Sequence, residues 1–336
     1  MKPRVLYIVQ NYPQLSQTYI KNELKVLWDD YDIQIVAVSV PDVADSDHFP
    51  YRHITDREEL LALVREFKPA ILHSHYLVLA DLVSGLSRDT GTPFTIRSHS
   101  FDTIPSENKI AKHLQGIGAR LSSDLCLGVL CFPFVRAYLN SAGIPENKLI
   151  ASPPVVDFEF FYNKSANTGG AMNVGAAIRK KRMEDFIALA KLVPEMNFDL
   201  FAIGHDWPKL SKLNHKNGNP IIVHEPRSFD AMPQIYKNHQ WLVYTACPER
   251  KTVGWPMAIA EAQASGTMVC MANIRPDLQE YVGEAGYLYD NIKQAAELLR
   301  QPVSAAKREL GFEQARGNDI RVKKHLLTDL WQPHLH

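Results

Sequence analysis

Short apolar runs alternate with stretches of helical period through most of the chain. Val5 to Val9, Ile33 to Val40, Ile71 to His75, Phe94 to Ile96 and Leu125 to Val129 are predicted strands. Between the first four, Gln17 to Trp28, Arg57 to Phe67 and Leu79 to Arg88 repeat their apolar positions every three or four residues, which predicts helices. The series restarts at Met172 to Ala177. A helix over 183–193, strands at Phe198 to Ile203 and Ile221 to Val223, a helix over 229–237 and strands at Trp241 to Tyr244 and Met268 to Met271 follow. Alternation of this kind implies βαβ units and mostly parallel sheets, whose ligand edge lies at the C-terminal ends of the strands.

The polar, Gly-rich stretch Asn163-Lys164-Ser165-Ala166-Asn167-Thr168-Gly169-Gly170 separates the two series and is predicted to be a linker. The chain is therefore divided into 1–162, 163–315 and a closing segment 316–336. In the last, Val322, Leu326, Leu327 and Leu330 give helical spacing over Asp319 to Trp331. One large α/β sheet is the alternative to two domains at 336 residues.

Composition narrows the partners. Hydrophobic residues make up 46% and charged residues 22%, as in an ordinary globular protein. Lys plus Arg and Asp plus Glu both number 37, so no net charge draws nucleic acid or an anionic membrane. Cys126, Cys131, Cys247 and Cys270 form no Cys-x-x-Cys pair, which predicts buried free thiols and a reducing, cytoplasmic setting. The first apolar run is too short for a signal peptide, and no segment approaches the roughly 18 apolar residues of a membrane span.

The chemistry concentrates in a few segments. Gly254-Trp255-Pro256-Met257-Ala258-Ile259-Ala260-Glu261-Ala262-Gln263-Ala264-Ser265-Gly266 is a turn running into a short Ala-rich helix, with one carboxylate about two turns in. Free N–H groups at such a helix start form an anion site, and a carboxylate at Glu261 can accept two hydroxyls. His73-Ser74-His75 and His99-Ser100-Phe101-Asp102 close neighbouring predicted strands, which suits a polar crevice at their C-terminal ends. No third ligand accompanies the histidines, so no metal is expected. Asn173-Val174-Gly175-Ala176-Ala177-Ile178-Arg179-Lys180-Lys181-Arg182 is a basic turn after the linker.

Together these segments resemble the retaining GT-B glycosyltransferases, especially glycosyltransferase family 4 (group 1) members of polysaccharide and capsule biosynthesis. The 254–266 stretch is similar to their Glu-x-Phe-Gly-x-x-x-x-Glu-Ala-x-Ala-x-Gly signature. Tyr12-Pro13-Gln14-Leu15-Ser16-Gln17-Thr18-Tyr19-Ile20-Lys21-Asn22-Glu23 is similar to Phe-Pro-x-x-Ser-Glu-Thr-Phe-Ile-x-x-Glu. His99-Ser100-Phe101-Asp102 resembles the Thr-x-His-Gly-x-Asp segment, residues 174–181 resemble Val-Gly-Arg-x-x-x-x-Lys-Gly, and Ile203-Gly204-His205-Asp206 resembles Ile-Val-Gly-x-Gly.

The resemblance implies two Rossmann-like domains facing a central cleft, with a C-terminal helix crossing back to the N-terminal domain. It implies transfer of a sugar from a nucleoside diphosphate sugar to a saccharide, lipid-linked or other hydroxyl acceptor, with retention and with no fixed metal or other cofactor. A lipid-linked acceptor would bring peripheral contact with the inner face of the membrane. The donor site implied comprises Ser16, Gly175, Arg179, Lys181, Gly204, Val253, Gly254, Trp255, Pro256, Met257, Ala258 and Glu261. Lys181 would neutralise the diphosphate, Glu261 would hold the ribose, and His99 would stand beside the sugar. His75, Asp102 and Glu249 would complete the sugar or acceptor site. Ser16 also reads as a plain helix N-cap.

Two positions depart from the family. Val253 stands where its first signature Glu contacts the sugar, with Glu249 four residues earlier as a stand-in. Ala176 stands where its Arg contacts phosphate. A UDP-sugar 2-epimerase, which shares the fold, and a degenerate binding subunit are the alternatives these departures leave.

Overall fold

In the computed structural model, residues 2–42, 44–104, 112–204, 206–250 and 252–335 are described. The chain forms two units, one of residues 1–153 with 320–336 and one of residues 154–319. The change falls at Pro153–Pro154, ahead of the boundary predicted at 162, and the return falls at 319–320 where 315–316 was expected.

The first unit holds seven strands: β1 (Arg4–Asn11), β2 (Asp32–Ser39), β3 (Arg52–His53), β4 (Ile71–His75), β5 (Phe94–Arg97), β6 (Cys126–Cys131) and β7 (Leu149–Ala151). All pairs are parallel, in the order β3-β2-β1-β4-β5-β6-β7. Continuous apolar runs suit such strands because both faces are covered. In β1, Leu6 and Ile8 enter one core with Val36, Leu72 and Phe94, while Val5, Tyr7 and Val9 enter the other with Ile33, Ile35 and Trp331. From the returning segment, Leu327 and Trp331 lie in this second core, with Leu326, Leu330 and Leu335 packed against it. Trp331 is fully buried and donates its indole N–H to Thr95 Oγ1 at 3.0 Å. The helical segment expected at 319–331 is two short helices, Ile320–Lys323 and His325–Trp331.

The second unit holds six parallel strands: β8 (Ala171–Ala176), β9 (Phe198–Ile203), β10 (Ile222–His224), β11 (Trp241–Tyr244), β12 (Met268–Ala272) and β13 (Gly286–Tyr289). Their order is β10-β9-β8-β11-β12-β13, so strand order reverses between β8 and β11 as it does between β1 and β4. In such sheets the crevice beyond that reversal is where ligands bind.

The linker reading of 163–170 is overturned. Lys237 Nζ donates to the carbonyls of Asn163 (2.6 Å) and Ser165, and Arg308 donates to those of Lys164 and Ser165. Gly169 and Gly170 are glycines for room: a Cβ on either would collide with the carbonyl oxygen of Asn238 or Asn197. This stretch runs over the surface of the second unit with its backbone tied down, and the unit boundary lies ahead of it.

Candidate functional site

In the second unit, three elements converge beyond β8 and β11. Gly175 near the end of β8 has φ +118°, and a Cβ there would sit on Lys181 Nζ. Glycine thus serves both an unusual backbone and the room an ammonium needs. The 3-10 turn Arg179–Lys181 brings Lys181 Nζ to 5.2 Å from the centre of the Tyr244 ring, at the end of β11. Burial, with Lys180 adding repulsion, pushes the Lys181 ammonium down to about 8, against the pull of Glu261. Lys181 has no ion-pair partner among the described residues. Arg182, left-handed at φ +47°, turns away to Asp185 (3.1 Å) and Glu249 (3.2 Å). Arg179 is exposed on the same turn.

Glu261 lies on the helix Met257–Ala264, only 7% exposed, and accepts from Tyr236 Oη at 2.7 Å. Burial pushes its carboxyl up to about 7, with Tyr236 and Lys181 opposing. Tyr236, from the helix Met232–Lys237, was not assigned a role from sequence. Its signal was a Tyr on the buried side of a helix, where a hydroxyl needs a partner.

The turn before this helix is pinned from one side. Trp255 donates to Asp277 Oδ2 at 2.8 Å and stacks on Tyr281 with centroids 4.8 Å apart. Tyr281 Oη donates to Pro256 O at 2.6 Å, and Arg275 bonds both Asp277 and the Val253 carbonyl. None of these three partners was legible in the motif. Pro256 has no N–H, so the amides of the helix start begin at Met257 and Ala258, after Gly254 and Trp255. Val253 is 3% exposed, its side chain in the core where the family places a sugar contact. Glu249, the expected stand-in, is 71% exposed, accepts from Cys247 Sγ at 3.0 Å and pairs with Arg182. Cys247 is accordingly half-buried, unlike the three other thiols, which are buried as predicted. Gly204 turns the chain after β9 at φ +100°, and Ala177 N donates to Ile203 O at 2.5 Å, joining the turns after β8 and β9. His205 lies outside the described residues.

The first unit has its own cluster beyond β1, β4 and β5. Ser16 is exposed and does not cap the first helix. Gln17 occupies the N-cap, and its side chain is taken by Gln14 N (2.9 Å), Asn11 O (2.6 Å) and Tyr76 Oη (2.9 Å). Glu23, on the helix Thr18–Leu27, is buried and accepts from three donors: Tyr7 Oη (3.1 Å) and His75 Nε2 (3.1 Å) at Oε1, and Arg97 Nε at Oε2 (2.7 Å). His73 Nε2 lies 3.0 Å from Oε1 without forming a hydrogen bond to it. Burial pushes this carboxyl up, but Arg97 and the two imidazoles outweigh it and hold it well below the usual carboxylate range.

His75, placed in the sugar or acceptor site from sequence, is instead fully buried, and its Nδ1 meets His99 Nε2 at 3.0 Å. His99 itself is half-buried, its ring packed against Tyr19 (4.3 Å) and Tyr76 (4.7 Å). Asp102, also expected to face sugar, is 1% exposed. Its oxygens accept from the amides of His99 (2.7 Å) and Leu77 (2.5 Å), and burial pushes it up to about 7. It braces the two loops that follow β4 and β5. Glu23, Arg97, Tyr7, Tyr19 and Tyr76 were missed because they converge only in three dimensions.

Glu23, His73 and His75 also supply the third metal-ligating group that sequence lacked. Arg97 already balances the single negative charge there. A dication added to that pair would leave net charge buried, which is unfavourable.

Comparison with known proteins places these geometries. Residues 170–304 match the family model "Glycosyl transferases group 1". No curated protein matches the sequence. Among solved structures, Anabaena Alr3699/HepE in complex with UDP superposes with TM-score 0.79 at 13% identity, covering 99% of this chain and 100% of that one. Sucrose-phosphate synthase from Thermosynechococcus elongatus gives TM-score 0.76 at 15% identity over 99% of both chains. The lipopolysaccharide outer core galactosyltransferase WaaB, in its apo form, gives 0.65 at 14% identity, covering 99% of this chain and 100% of that one. Likeness at such identities concerns the fold. The second unit carries a glycosyl transferases group 1 domain, and the chain has the two-sheet fold of the GT-B glycosyltransferases.

Proposed function

We propose that the protein transfers a sugar from a nucleoside diphosphate sugar to a hydroxyl acceptor, a saccharide or a lipid-linked one, with retention of anomeric configuration. The observation that carries this reading is that Lys181 and Glu261 lie in the same segment matched to the group 1 family, near enough for each to shift the other's titration. One is a half-buried cation without an ion-pair partner among the described residues, and the other is a buried carboxylate with one hydroxyl donor already in place. A diphosphate leaving group gains negative charge as it departs, and a preorganised ammonium stabilises that charge most in the transition state. The amides from Met257 onward support the same phosphates. Glu261 accepts the ribose hydroxyls, with Tyr236 fixing its orientation. His99, in the first unit, contacts the sugar or its acceptor. HepE is described in complex with UDP and glucose, which supports a nucleotide-sugar donor here. No helix among the described residues is long and apolar enough to cross a membrane; we place the protein in the cytoplasm, reaching a lipid-linked acceptor only peripherally.

A thermal-shift screen of nucleoside diphosphates and their sugars tests the donor, because a ligand bound only to the native state raises stability by RT ln(1 + [L]/Kd). Glu261→Gln then tests the ribose assignment. It keeps size but replaces one acceptor oxygen with a donor. Affinity should fall for the ribonucleotide and change little for the 2′-deoxy analogue. An equal loss with both would make Glu261 a structural residue. His99→Ala should lower turnover by about tenfold or more, the scale of one hydrogen bond used in the transition state, while nucleoside diphosphate affinity stays put. Lost affinity with an unchanged rate would remove His99 from the reaction. Release of a free, epimerised sugar would point instead to epimerase chemistry.

A further inference from the structure

We propose that Glu23 is a positioning residue for His99. Acting through His75, its carboxylate fixes the His99 ring as the Nε2–H tautomer and leaves Nδ1 as the hydrogen-bond acceptor for a sugar or acceptor hydroxyl. This rests on the reading of His99 as a substrate contact.

The argument is a count of protons along three atoms in contact. A carboxylate can only accept, so His75 Nε2, at 3.1 Å from Glu23 Oε1, donates. A neutral imidazole that carries its proton on Nε2 has a lone pair on Nδ1. His99 Nε2 stands 3.0 Å from that lone pair and must supply the proton between them. His99 Nδ1 is then bare. The Asp102 amide is spent on the His99 carbonyl at 3.3 Å, and no hydrogen bond from it to the His99 ring is formed, so Nδ1 keeps its lone pair for a ligand.

The surroundings hold this state. Arg97 and burial both disfavour a second proton on the rings: His75 is pushed down to about 4 by burial, with Glu23 opposing, and His99 well below its ordinary value, first by burial and then by His75 and Arg97. Tyr7 shares the Glu23 oxygen with His75, His73 bonds Thr95 Oγ1 through its Nδ1 (2.8 Å), and Tyr19 and Tyr76 wall the His99 ring. Asp102 gives its oxygens to backbone amides and none to the ring. The three links come from three elements: the helix Thr18–Leu27, the end of β4 and the residue that opens the turn Ser100–Thr103.

A divalent cation on Glu23, His73 and His75 is the competing use of these atoms. It would require a bare Nε2 on His75 and would therefore reverse the chain, placing the His99 proton on Nδ1.

The test is ring 1H–15N correlation spectroscopy of 15N-histidine-labelled full-length protein, with His75→Gln and His99→Gln for assignment. Both rings should show the neutral Nε2–H pattern from pH 6 to 8 without ligand. Glu23→Gln should reverse His99 to Nδ1–H. Arg97 keeps an oxygen opposite itself, which turns the amide NH2 toward His75 Nε2. The same variant should lower kcat about tenfold, the scale of one hydrogen bond, and leave nucleoside diphosphate Kd within about twofold. Should Glu23→Gln fail to fold, the wild-type spectrum decides alone. An Nδ1–H or imidazolium pattern at His99, or zinc in the isolated protein with His75 Nε2 bare, would overturn the proposal. A wild-type protein with the expected tautomer but no turnover of any nucleotide sugar would overturn the transferase reading, and the substrate role of His99 with it.

Discussion

Replacing Glu23 with alanine should destabilise the first unit by about 3–5 kcal/mol, the range for removing one partner of a buried ion pair. Arg97 would be left 13% exposed with Ser152 Oγ, at 2.7 Å from its guanidinium, as its remaining partner shown. Tyr7 Oη and His75 Nε2 would lose their acceptor in the same step. The pH dependence has a definite sign. Glu23 is held well below its ordinary 4.5, so the unfolded chain takes up its proton first as pH falls. Its contribution is fully present above about pH 4.5 and is lost as pH falls toward the folded value. The stability gap between wild type and Glu23→Ala should therefore be widest at neutral pH and narrow below about 4.5. Urea unfolding across that range measures it. A gap under about 1 kcal/mol at pH 7, or one that does not narrow with acid, would show that the carboxylate does not anchor this cluster.

How much of this could be read in advance depended on how local each signal was. The strands of the sheet interiors were legible because they are unbroken apolar runs: β4 and β9 fall where Ile71 to His75 and Phe198 to Ile203 predict them. Arg52–His53 and Leu149–Ala151 were not, being two and three residues at the edges of their sheet with no period to detect. Gly169 and Gly170 misled because a glycine needed for close approach and a glycine in a flexible linker look the same in one sequence. What separates them is Asn238 and Asn197, which lie elsewhere in the chain. The candidate sites behaved likewise. Lys181 and Glu261 sit in motifs whose spacing suggests their chemistry. The roles of His75 and His99 did not follow from two similar strand ends, because Glu23 arrives from a helix far earlier and makes one an interior link and the other a half-buried ring. Ser16 had the residue type of a cap, but the side chain of Gln17 is tied to Asn11 and Tyr76 and starts the helix one residue later.

Lys181→Met should make the ligand-free protein more stable and the liganded protein weaker. The ammonium lies against Tyr244 with no ion-pair partner among the described residues, where the proposed function puts a diphosphate. Burial brings its pKa from 10.5 to about 8, so between these values the unfolded chain binds the proton that the folded chain releases. Wild-type stability should rise with pH through that window, and below about 8 the folded protein carries the full penalty of the partly desolvated charge. Methionine fills a similar volume without charge. Removing a functional strain of this kind typically returns about 0.5–2 kcal/mol. Nucleoside diphosphate binding should weaken by about 1.5–3 kcal/mol, the scale of a charge-assisted hydrogen bond, or about 10- to 150-fold in Kd. Gly175→Ala provides an independent check, since its Cβ would occupy the place of Nζ and its backbone favours glycine. It should reproduce the binding loss without the gain in stability. Thermal melts with and without nucleoside diphosphate, together with calorimetry, read both quantities. If Lys181→Met is destabilised and binds as tightly as wild type, Lys181 is a packing residue and the phosphates are held elsewhere.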